Sequence, residues 1–310
     1  MISTVTINTA IDRLLFIEEL HKNNTNRIKR TVEVLGGKGA HVSLNLSQLG
    51  MKNRSFGVVL GVTGSRILQI LKDNPYIDVK MLHYDVGDSR TNYAIIEDDN
   101  TCTLIAEKGV TISKPVCEEL LNIIDQHTED GDYLVLSGDA SNTEVPFIYN
   151  VIMERLQSKK IKVFLDASSE NLIKGVKAKP FLVKPNVDEL SQFVGHPVET
   201  EADILHGMDE LESYGVEVIA VTCGANGSYV RYKGVTYRVY PLKVNVVNTI
   251  GCGDAYLSGF VYGLSNNMPF ETVLRYATAV SAATAESELS VGFDPRRAES
   301  LIDQVIIETL

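Results

Sequence analysis

The sequence lacks the features that mark several large protein classes. It has no tryptophan, and its four cysteines are scattered without a Cys-x-x-Cys pair. That scatter argues against a zinc site or a disulfide framework and favours a reducing, cytoplasmic location. No apolar run approaches the roughly 18 residues of a membrane span, and the first residues lack the pattern of a signal peptide. We therefore expect no membrane as a partner.

Positive charge is also scarce. The chain has 29 Lys and Arg against 40 Asp and Glu, a formal net charge of −11. Nonspecific nucleic-acid binding needs a basic surface, so a nucleic acid is not an expected partner. A local cluster of Lys and Arg can still dominate one cleft, so an anionic small-molecule substrate remains compatible with this composition.

Three common catalytic signatures are absent. The chain has no P-loop Gly-x-x-x-x-Gly-Lys-[Ser/Thr], no Gly-x-Ser-x-Gly elbow and no N-terminal Gly-x-Gly-x-x-Gly unit. These absences argue against a P-loop nucleotidase, an α/β-hydrolase and a nicotinamide dehydrogenase.

Short apolar runs instead alternate with helical patterns. Runs rich in Val, Ile and Leu predict strands buried on both faces, at Ser3–Ile7, Ser55–Leu60, Tyr133–Ser137, Ile161–Leu165, Phe181–Val183 and Val218–Thr222. Helices are predicted at Ala40–Leu49, Lys114–His127, Glu144–Lys159, Glu201–Tyr214 and Ala255–Leu264. This alternation predicts an α/β fold with a mostly parallel central sheet. No repeat or linker divides the chain, so we predict one domain over residues 1–310.

Two segments do not fit a doubly covered sheet. Arg27–Val34 and Thr91–Ile105 alternate more freely and carry polar residues, and Asp98–Asn100 predicts a turn in the second. We predict an accessory sheet from segments near 11–35 and 88–110, acting as a lid over one end of the domain; a plain surface hairpin is the alternative. An exposed edge of this sheet could pair with a second copy, which would make the protein a homodimer.

The segment Asn248–Ala255 combines a turn and a charge in an unusual way. A β-rich stretch, Tyr237–Val247, leads into Gly251-Cys252-Gly253-Asp254, and a helix of small apolar residues is predicted to follow. The start of a helix attracts anions through its unpaired N–H groups and its dipole. An aspartate there would repel an anion, but it could act as a base beside amides that hold charge developing on a phosphate. A tight turn with a dipole-stabilising aspartate is the plainer interpretation.

Three further loops could bind a ligand. Gly36-Gly37-Lys38-Gly39 precedes a helix, and its glycines would let a ligand approach while the lysine adds a mobile charge. Asn186 and Glu189 share a face at a helix start, where Glu189 could orient waters on Mg²⁺ or both residues could form a capping box. The third loop, Val221–Gly227, offers exposed backbone to a nucleotide or forms a tight hairpin.

Other candidates lie near the predicted lid. Arg27, Lys38 and Arg90 could surround a phosphate carried by the substrate, or each could be a solvated surface charge. Asp12, just past the first strand, could accept hydrogen bonds from sugar hydroxyls or cap a turn. His41 could face a ligand or be a structural histidine with its hydrogen bonds satisfied.

Taken together and in order, these motifs resemble the PfkB (ribokinase-like) carbohydrate kinases. The resemblance covers essentially the whole chain and rests on Asn8-Thr9-Ala10-Ile11-Asp12, Asn26-Arg27, Gly36-Gly37-Lys38-Gly39, Ser89-Arg90-Thr91-Asn92, Ser137-Gly138, Lys184-Pro185-Asn186-x-x-Glu189 and Gly251-Cys252-Gly253-Asp254. The opening and the Arg27/Arg90 pair look most like the phosphosugar branch, 1-phosphofructokinase and tagatose-6-phosphate kinase.

The resemblance implies a ribokinase-like three-layer α/β/α fold with a small β lid, and a reaction that uses ATP and Mg²⁺. Asp254 would deprotonate the acceptor hydroxyl, beside an anion hole at Gly251, Cys252 and Gly253. The remaining implied roles follow the motifs. The sugar phosphate would contact Asp12, Arg27, Gly37, Lys38, His41, Arg90, Asn92, Ser137 and Asp139. ATP would contact Lys184, Asn186, Thr222, Gly224 and Gly227, and Glu189 would hold Mg²⁺ through water.

The sequence departs from the family pattern on the sugar side. Thr9 replaces a usual proline, which would loosen the first turn, and His41 replaces the asparagine expected to contact a sugar hydroxyl. Asp139 adds negative charge near the phosphosugar, which is unfavourable unless paired. The expected activity is phosphorylation of a hexose monophosphate, with fructose 1-phosphate and tagatose 6-phosphate as leading acceptors. The alternatives are a kinase for an unphosphorylated sugar or nucleoside, and a noncatalytic sensor on the same fold.

Overall fold

The computed structural model describes residues 1–310. The strands are β1 (Ile2–Thr6), β2 (Ala10–Phe16), β3 (Arg30–Gly36), β4 (Asn53–Leu60), β5 (Ile77–Tyr84), β6 (Arg90–Ile96), β7 (Cys102–Ala106), β8 (Tyr133–Ser137), β9 (Lys162–Asp166), β10 (Leu182–Val183), β11 (Val218–Thr222), β12 (Ser228–Tyr232), β13 (Val235–Val239) and β14 (Ile307–Thr309). The α-helices are α1 (Lys38–Gln48), α2 (Gly61–Lys72), α3 (Lys114–Gln126), α4 (Ile148–Arg155), α5 (Ser169–Gly175), α6 (Val187–Val194), α7 (Glu201–Ser213), α8 (Cys252–Ser265), α9 (Phe270–Ala285) and α10 (Pro295–Leu301).

A ten-stranded sheet forms the centre of the molecule, in the order β14-β13-β12-β11-β10-β9-β8-β1-β4-β5. The run from β11 to β5 is parallel, and β12, β13 and β14 add antiparallel strands at one edge. In an open parallel sheet the carboxyl ends of the strands lie at the same edge, where ligands usually bind. The loops after β1, β8, β9 and β11 therefore converge on one side of the molecule.

Helices cover both faces of this sheet. On one face α3, α4, α6 and α7 bury residues such as Leu120, Tyr149 and Met208 in the larger core. On the other face α1, α8 and α9 contribute to a second core that includes Leu46 and Phe260. The predicted three-layer α/β/α fold is confirmed, and the apolar strands without polar alternation are explained by burial on both faces.

A separate four-stranded sheet has the order β3-β2-β6-β7 and is called here the small sheet. Its strands fall within the two segments predicted for the lid, and Asn100 forms the turn between β6 and β7 with φ of 67°. Leu14, Ala94 and Ile96 form its buried apolar cluster, against which Ile250 packs. The edges are β3 and β7; a lid motion and a homodimer through these edges stay predictions.

Two predicted elements are wrong in extent. The helix predicted at Glu144–Lys159 spans only Ile148–Arg155, since Phe147 takes a left-handed conformation with φ of 52° directly after Pro146. Pro146 lacks an N–H donor and disfavours a helical conformation at Val145, so the helix does not extend back to Glu144. At its other end the helix stops at Arg155. The β-rich stretch that was predicted to reach Val247 ends at Val239. No helix in the molecule combines the length and apolar character needed to span a membrane.

Candidate active site

The start of α8 brings an acidic side chain and unpaired backbone donors together. Gly251 is the N-cap residue, in a left-handed conformation with φ of 79°, and no side chain caps the helix. Asp254 lies in the first turn with 5% of its surface exposed. The N–H groups of Gly253 and Asp254 have no hydrogen-bond partner within the chain. This end of the helix can therefore donate to an anion beside a carboxylate.

Glycine is required at position 251 for two reasons. Its positive φ disfavours an L side chain, and a Cβ atom there would overlap the carbonyl oxygen of Ser290. The same Cβ would come within 3.7 Å of His41 Nδ1. The turn is thus pressed against both the loop after α9 and the His41 ring.

Asp254 and Asp12 lie on opposite sides of one imidazole. His41 Nδ1 is 2.7 Å from Asp254 Oδ2, and His41 Nε2 is 2.8 Å from the Leu35 carbonyl oxygen and 3.6 Å from Asp12 Oδ2. Burial would lower the pKa of His41, but the hydrogen bonds and charges of the two carboxylates outweigh it and raise that pKa to about 10. The two carboxylates therefore favour the protonated form of the His41 ring. Both ring nitrogens have acceptors within the protein, and the sugar contact of His41 stays a prediction.

Asp12 is itself held in the small sheet. Asn92 Nδ2 donates to Asp12 Oδ1 at 2.8 Å, and a Cβ atom at Gly36 would overlap the Asp12 carboxylate. Although burial raises the pKa of Asp12, the nearby His41 ring and the hydrogen bond from Asn92 bring it below its usual value. Asn92 Oδ1 is buried without a partner, so the site has an acceptor to offer a ligand.

A second charged cluster lies where β9 ends. Asp166 is fully buried, and its Oδ1 is 3.1 Å from Lys184 Nζ and 3.6 Å from Lys38 Nζ. Burial raises the pKa of Asp166, but the two ammonium groups lower it below its usual value. The carboxylate of Asp166, with those of Asp254 and Glu189, raises the pKa of Lys38. The cluster therefore pairs one buried carboxylate with two lysine side chains, of which Lys38, with 42% of its side chain exposed, can reach a ligand.

The neighbouring loops fix this cluster. Ser137 Oγ donates to Asp166 Oδ2 at 3.2 Å. A Cβ atom at Gly138, where φ is 101°, would lie 3.4 Å from Lys38 Cβ. Gly37, with φ of 93°, is the N-cap of α1. The close approach of these loops places Lys38 over the end of the central sheet.

The capping box expected at Asn186 and Glu189 is present. Asn186 Oδ1 accepts from Glu189 N at 2.7 Å, and Glu189 Oε2 accepts from Asn186 N at 2.9 Å. Glu189 Oε1 faces Lys38 Nζ at 4.0 Å, so one carboxylate oxygen remains outside the box. No group of three or more His, Cys, Asp or Glu side chains is placed to hold a metal directly. The residues present fit Mg²⁺ held through water and phosphates, as Mg²⁺ often is.

Arg90 and Arg27 are not equivalent. Arg90 donates from Nη1 to the Glu107 carbonyl oxygen at 3.2 Å, while its Nε is buried without a partner. Arg27 lies in the exposed loop between β2 and β3 and makes no salt bridge. The structure brings Arg90 to the site and leaves Arg27 at the surface of the small sheet.

Asp139 and Thr9, two residues that depart from the family pattern, both have hydrogen-bond partners within the chain. Asn8 Nδ2 donates to Asp139 Oδ2 at 3.1 Å, and Ser141 N donates to Asp139 Oδ1 at 3.0 Å. Burial raises the pKa of Asp139, but these hydrogen bonds and the charge of Arg90 lower it below its usual value. Thr9 Oγ1 donates to the Val58 carbonyl oxygen at 2.9 Å. The first turn is therefore tied down, and the loosening expected from Thr9 is not found.

The loop after β11 is both a hairpin and an exposed backbone surface. β11 and β12 pair in antiparallel fashion around it. Gly224 has φ of 54° with open space where a Cβ would be, and Gly227 has φ of 82°. Thr222 N donates to the Pro185 carbonyl oxygen at 3.0 Å, which joins this loop to the Lys184–Asn186 loop. The five residues predicted for ATP therefore belong to two adjacent loops.

Sequence reasoning missed Asp166 and Asn8 as parts of the site. Asp166 directly follows the predicted strand Ile161–Leu165, and a carboxylate at the end of a parallel strand was the signal available. Asn8 is in the first motif, but nothing in its spacing indicates that it pairs with Asp139.

Comparison with known proteins identifies the family of the chain. The model of the pfkB family of carbohydrate kinases matches residues 1–295. The chain belongs to the pfkB family. It is 31% identical over 308 residues to the 1-phosphofructokinase of Haemophilus influenzae, with 98% of this chain and 95% of that protein covered. It is 30% identical over 292 residues to the 1-phosphofructokinase of Bacillus subtilis, with 93% of each covered.

The fold of this pfkB-family chain is shared by solved structures. Phosphofructokinase-2 from Escherichia coli, in complex with substrates and products, superposes with a TM-score of 0.90 at 21% identity, covering 98% of each chain. This likeness supports the ribokinase-like α/β fold. Kinases of the pfkB family use ATP as the phosphate donor, and the loops described above are the parts of this chain that would receive it.

Replacing Gly251 by alanine should destabilise the protein more than the same change at Gly50. Both glycines have positive φ, but only Gly251 has a backbone oxygen in the way of a Cβ; Gly50 has nothing within 4 Å. We expect Gly50→Ala to lower the free energy of unfolding by about 1 kcal/mol, and Gly251→Ala by roughly 1–3 kcal/mol more. Urea denaturation measures both, and equal losses would show that the Ser290 contact does not constrain the turn.

Proposed function

We propose that this pfkB-family kinase transfers the γ-phosphoryl group of ATP to a hydroxyl of fructose 1-phosphate, which yields fructose 1,6-bisphosphate. Tagatose 6-phosphate is the second acceptor to consider. The observation that carries the proposal is the buried Asp254 carboxylate beside the free N–H groups that begin α8. The 1-phosphofructokinase name of the full-length relatives supports this choice of acceptor.

Asp254 would act as the general base. Its carboxylate would take the proton of the acceptor hydroxyl, and the acceptor oxygen would form a bond to the γ-phosphorus as the bond to ADP breaks. The leaving oxygen would keep the electron pair of that bond. The N–H groups of Gly253 and Asp254 would donate to the transferring phosphoryl oxygens, where negative charge is concentrated.

Charged residues around the base would orient the two substrates. Lys38, kept charged by Asp166, would contact the phosphates. The Asp12 carboxylate and the unpaired Oδ1 of Asn92 would accept hydrogen bonds from sugar hydroxyls. Arg90, with its Nε unpaired, would hold the phosphate that the sugar already carries. Asp139 accepts hydrogen bonds from Asn8 and Ser141. The positive charge of Arg90 would balance part of its negative charge.

A nucleotide would lie on the loops that follow β10 and β11. Lys184, Asn186, Thr222, Gly224 and Gly227 supply ammonium, amide, hydroxyl and open backbone there. A Mg²⁺ ion bound with ATP would neutralise phosphate charge. Glu189 Oε1 is not used by the capping box, and it would accept a hydrogen bond from a water molecule bound to the Mg²⁺ ion.

An acceptor panel with ATP and Mg²⁺ tests this function. We expect ADP formation with fructose 1-phosphate at a kcat/KM at least about tenfold above ribose and adenosine, since the unpaired Nε of Arg90 favours an acceptor that already carries a phosphate. The same panel ranks fructose 1-phosphate against tagatose 6-phosphate and fructose 6-phosphate. Coupled ADP detection gives the values. A preference for ribose or adenosine would support the alternative of an unphosphorylated acceptor and reject the proposal.

The variant Arg90→Gln tests whether this arginine holds the phosphate of the acceptor. Loss of one charge-assisted contact is expected to raise the KM for fructose 1-phosphate by roughly 10–100-fold and to leave the KM for ATP within about twofold. The exposed Arg296, changed to Gln in the same way, should leave both KM values unaltered.

Asp254→Asn separates a kinase from a noncatalytic sensor. An amide cannot take the acceptor proton, so turnover should fall by roughly 10²-fold or more while ATP still binds with native affinity in a calorimetric titration. Asp303→Asn, an exposed carboxylate far along the chain, is the control and should retain native turnover. Unchanged turnover in Asp254→Asn would remove the base from the mechanism.

A further inference from the structure

We propose that His41 is a positioning residue for the base: it binds Oδ2 of Asp254, leaves Oδ1 as the oxygen that receives the acceptor proton, and links the base to Asp12. This inference rests on the proposed kinase function. It goes beyond that function because it gives a task to a side chain at the place where the family pattern has asparagine.

The hydrogen-bond partners determine the protonation of the ring. The Leu35 carbonyl oxygen only accepts, so His41 Nε2, 2.8 Å away, carries a proton. His41 Nδ1 is 2.7 Å from Asp254 Oδ2, a distance at which a bare nitrogen lone pair and a carboxylate would repel. A proton therefore lies between them, and because the His41 pKa is raised to about 10, that proton belongs to the ring at neutral pH.

The charges around the ring explain why an imidazolium serves better than an amide here. His41 on α1 faces two carboxylates, Asp254 on α8 and Asp12 on β2. Arg90 lies near Asp12. Lys38 and the neutral Cys252 thiol lie near Asp254. Asp12, His41 and Asp254 together carry one negative charge. They become neutral when the acceptor proton reaches Asp254, and return to one negative charge when it leaves. An asparagine would donate one hydrogen bond but would leave both carboxylates without the shared cation.

The geometry also fixes where Asp254 points. The His41 side chain is 5% exposed, and it is held at its far nitrogen by Leu35, in a strand of the small sheet. Asp12 belongs to the adjacent strand of that sheet. The base is thus oriented through a rigid ring by the same sheet that would cover the sugar, so the position of Asp254 depends on where the small sheet sits.

The protonation state can be measured without any substrate. Long-range ¹H–¹⁵N correlation spectra of the native protein, recorded from pH 6 to 11, should show His41 protonated at both nitrogens at pH 8.5 and losing a proton near pH 10. In Asp254→Asn the titration should move down by at least about one pH unit, because one of the two carboxylates is lost. The exposed His206 is the internal reference. A His41 that titrates near 6.5 in the native protein would overturn the proposal.

Kinetics of His41→Asn test the positioning role itself. We expect kcat to fall by roughly 10–100-fold while the KM for fructose 1-phosphate changes by less than about threefold. The native kcat should decline as the pH passes about 10, and the variant should lack this decline. His206→Asn should match the native enzyme. A raised KM with unchanged kcat would assign His41 to direct sugar contact and overturn the proposal.

The NMR titration and the kinetics of His41→Asn together distinguish this inference from the proposed function. A native protein inactive on the whole acceptor panel contradicts the function, while the His41 titration still decides whether the ion pair exists. An active native protein with an unaltered His41→Asn profile contradicts the inference alone. Should His41→Asn fail to fold, His41→Gln is the second variant, and its pH profile is judged by the same two results.

Discussion

Two carboxylates, Asp12 and Asp254, are kept buried on either side of a single imidazolium, and the arrangement of the site depends on this constraint. Removing charges from water is costly unless they are paired and hydrogen bonded. His41 meets the requirement because both of its nitrogens donate, to Asp254 and to the Leu35 carbonyl oxygen beside Asp12. The pairing joins α8, α1 and the small sheet at one point, which brings the proposed base and the sugar side together.

The same principle operates on the phosphate side. Asp166, without any exposed surface, is compensated by Lys184 and Lys38, and the lysine that remains half exposed is the one that can reach a ligand. The central sheet makes this possible because β9 and β10 end at one edge, next to the loop that begins α1. The fold thus concentrates positive charge locally in a chain whose net charge is −11, and an acidic protein can still receive anionic substrates.

Much of this architecture could be predicted from the residues. The buried strands were identifiable because they are continuous apolar runs, and Tyr133–Ser137 and Val218–Thr222 have the bounds that the pattern predicted. Asp254 was identifiable because a glycine turn and a helix pattern meet there. The pairing of His41 with Asp254 and that of Asp139 with Asn8 were not, since each joins segments more than 100 residues apart. Arg27 and Arg90 looked alike in sequence, and only tertiary packing separates the partly buried Arg90 from the exposed Arg27.

The most direct test of the account is a crystal structure of the protein with fructose 1-phosphate and a non-hydrolysable ATP analogue. The account predicts an acceptor hydroxyl within about 3 Å of Asp254 Oδ1, with Oδ2 still on His41 Nδ1 and the sugar phosphate on Arg90. An acceptor hydroxyl more than about 5 Å from Asp254, beyond the reach of direct proton transfer, would contradict it.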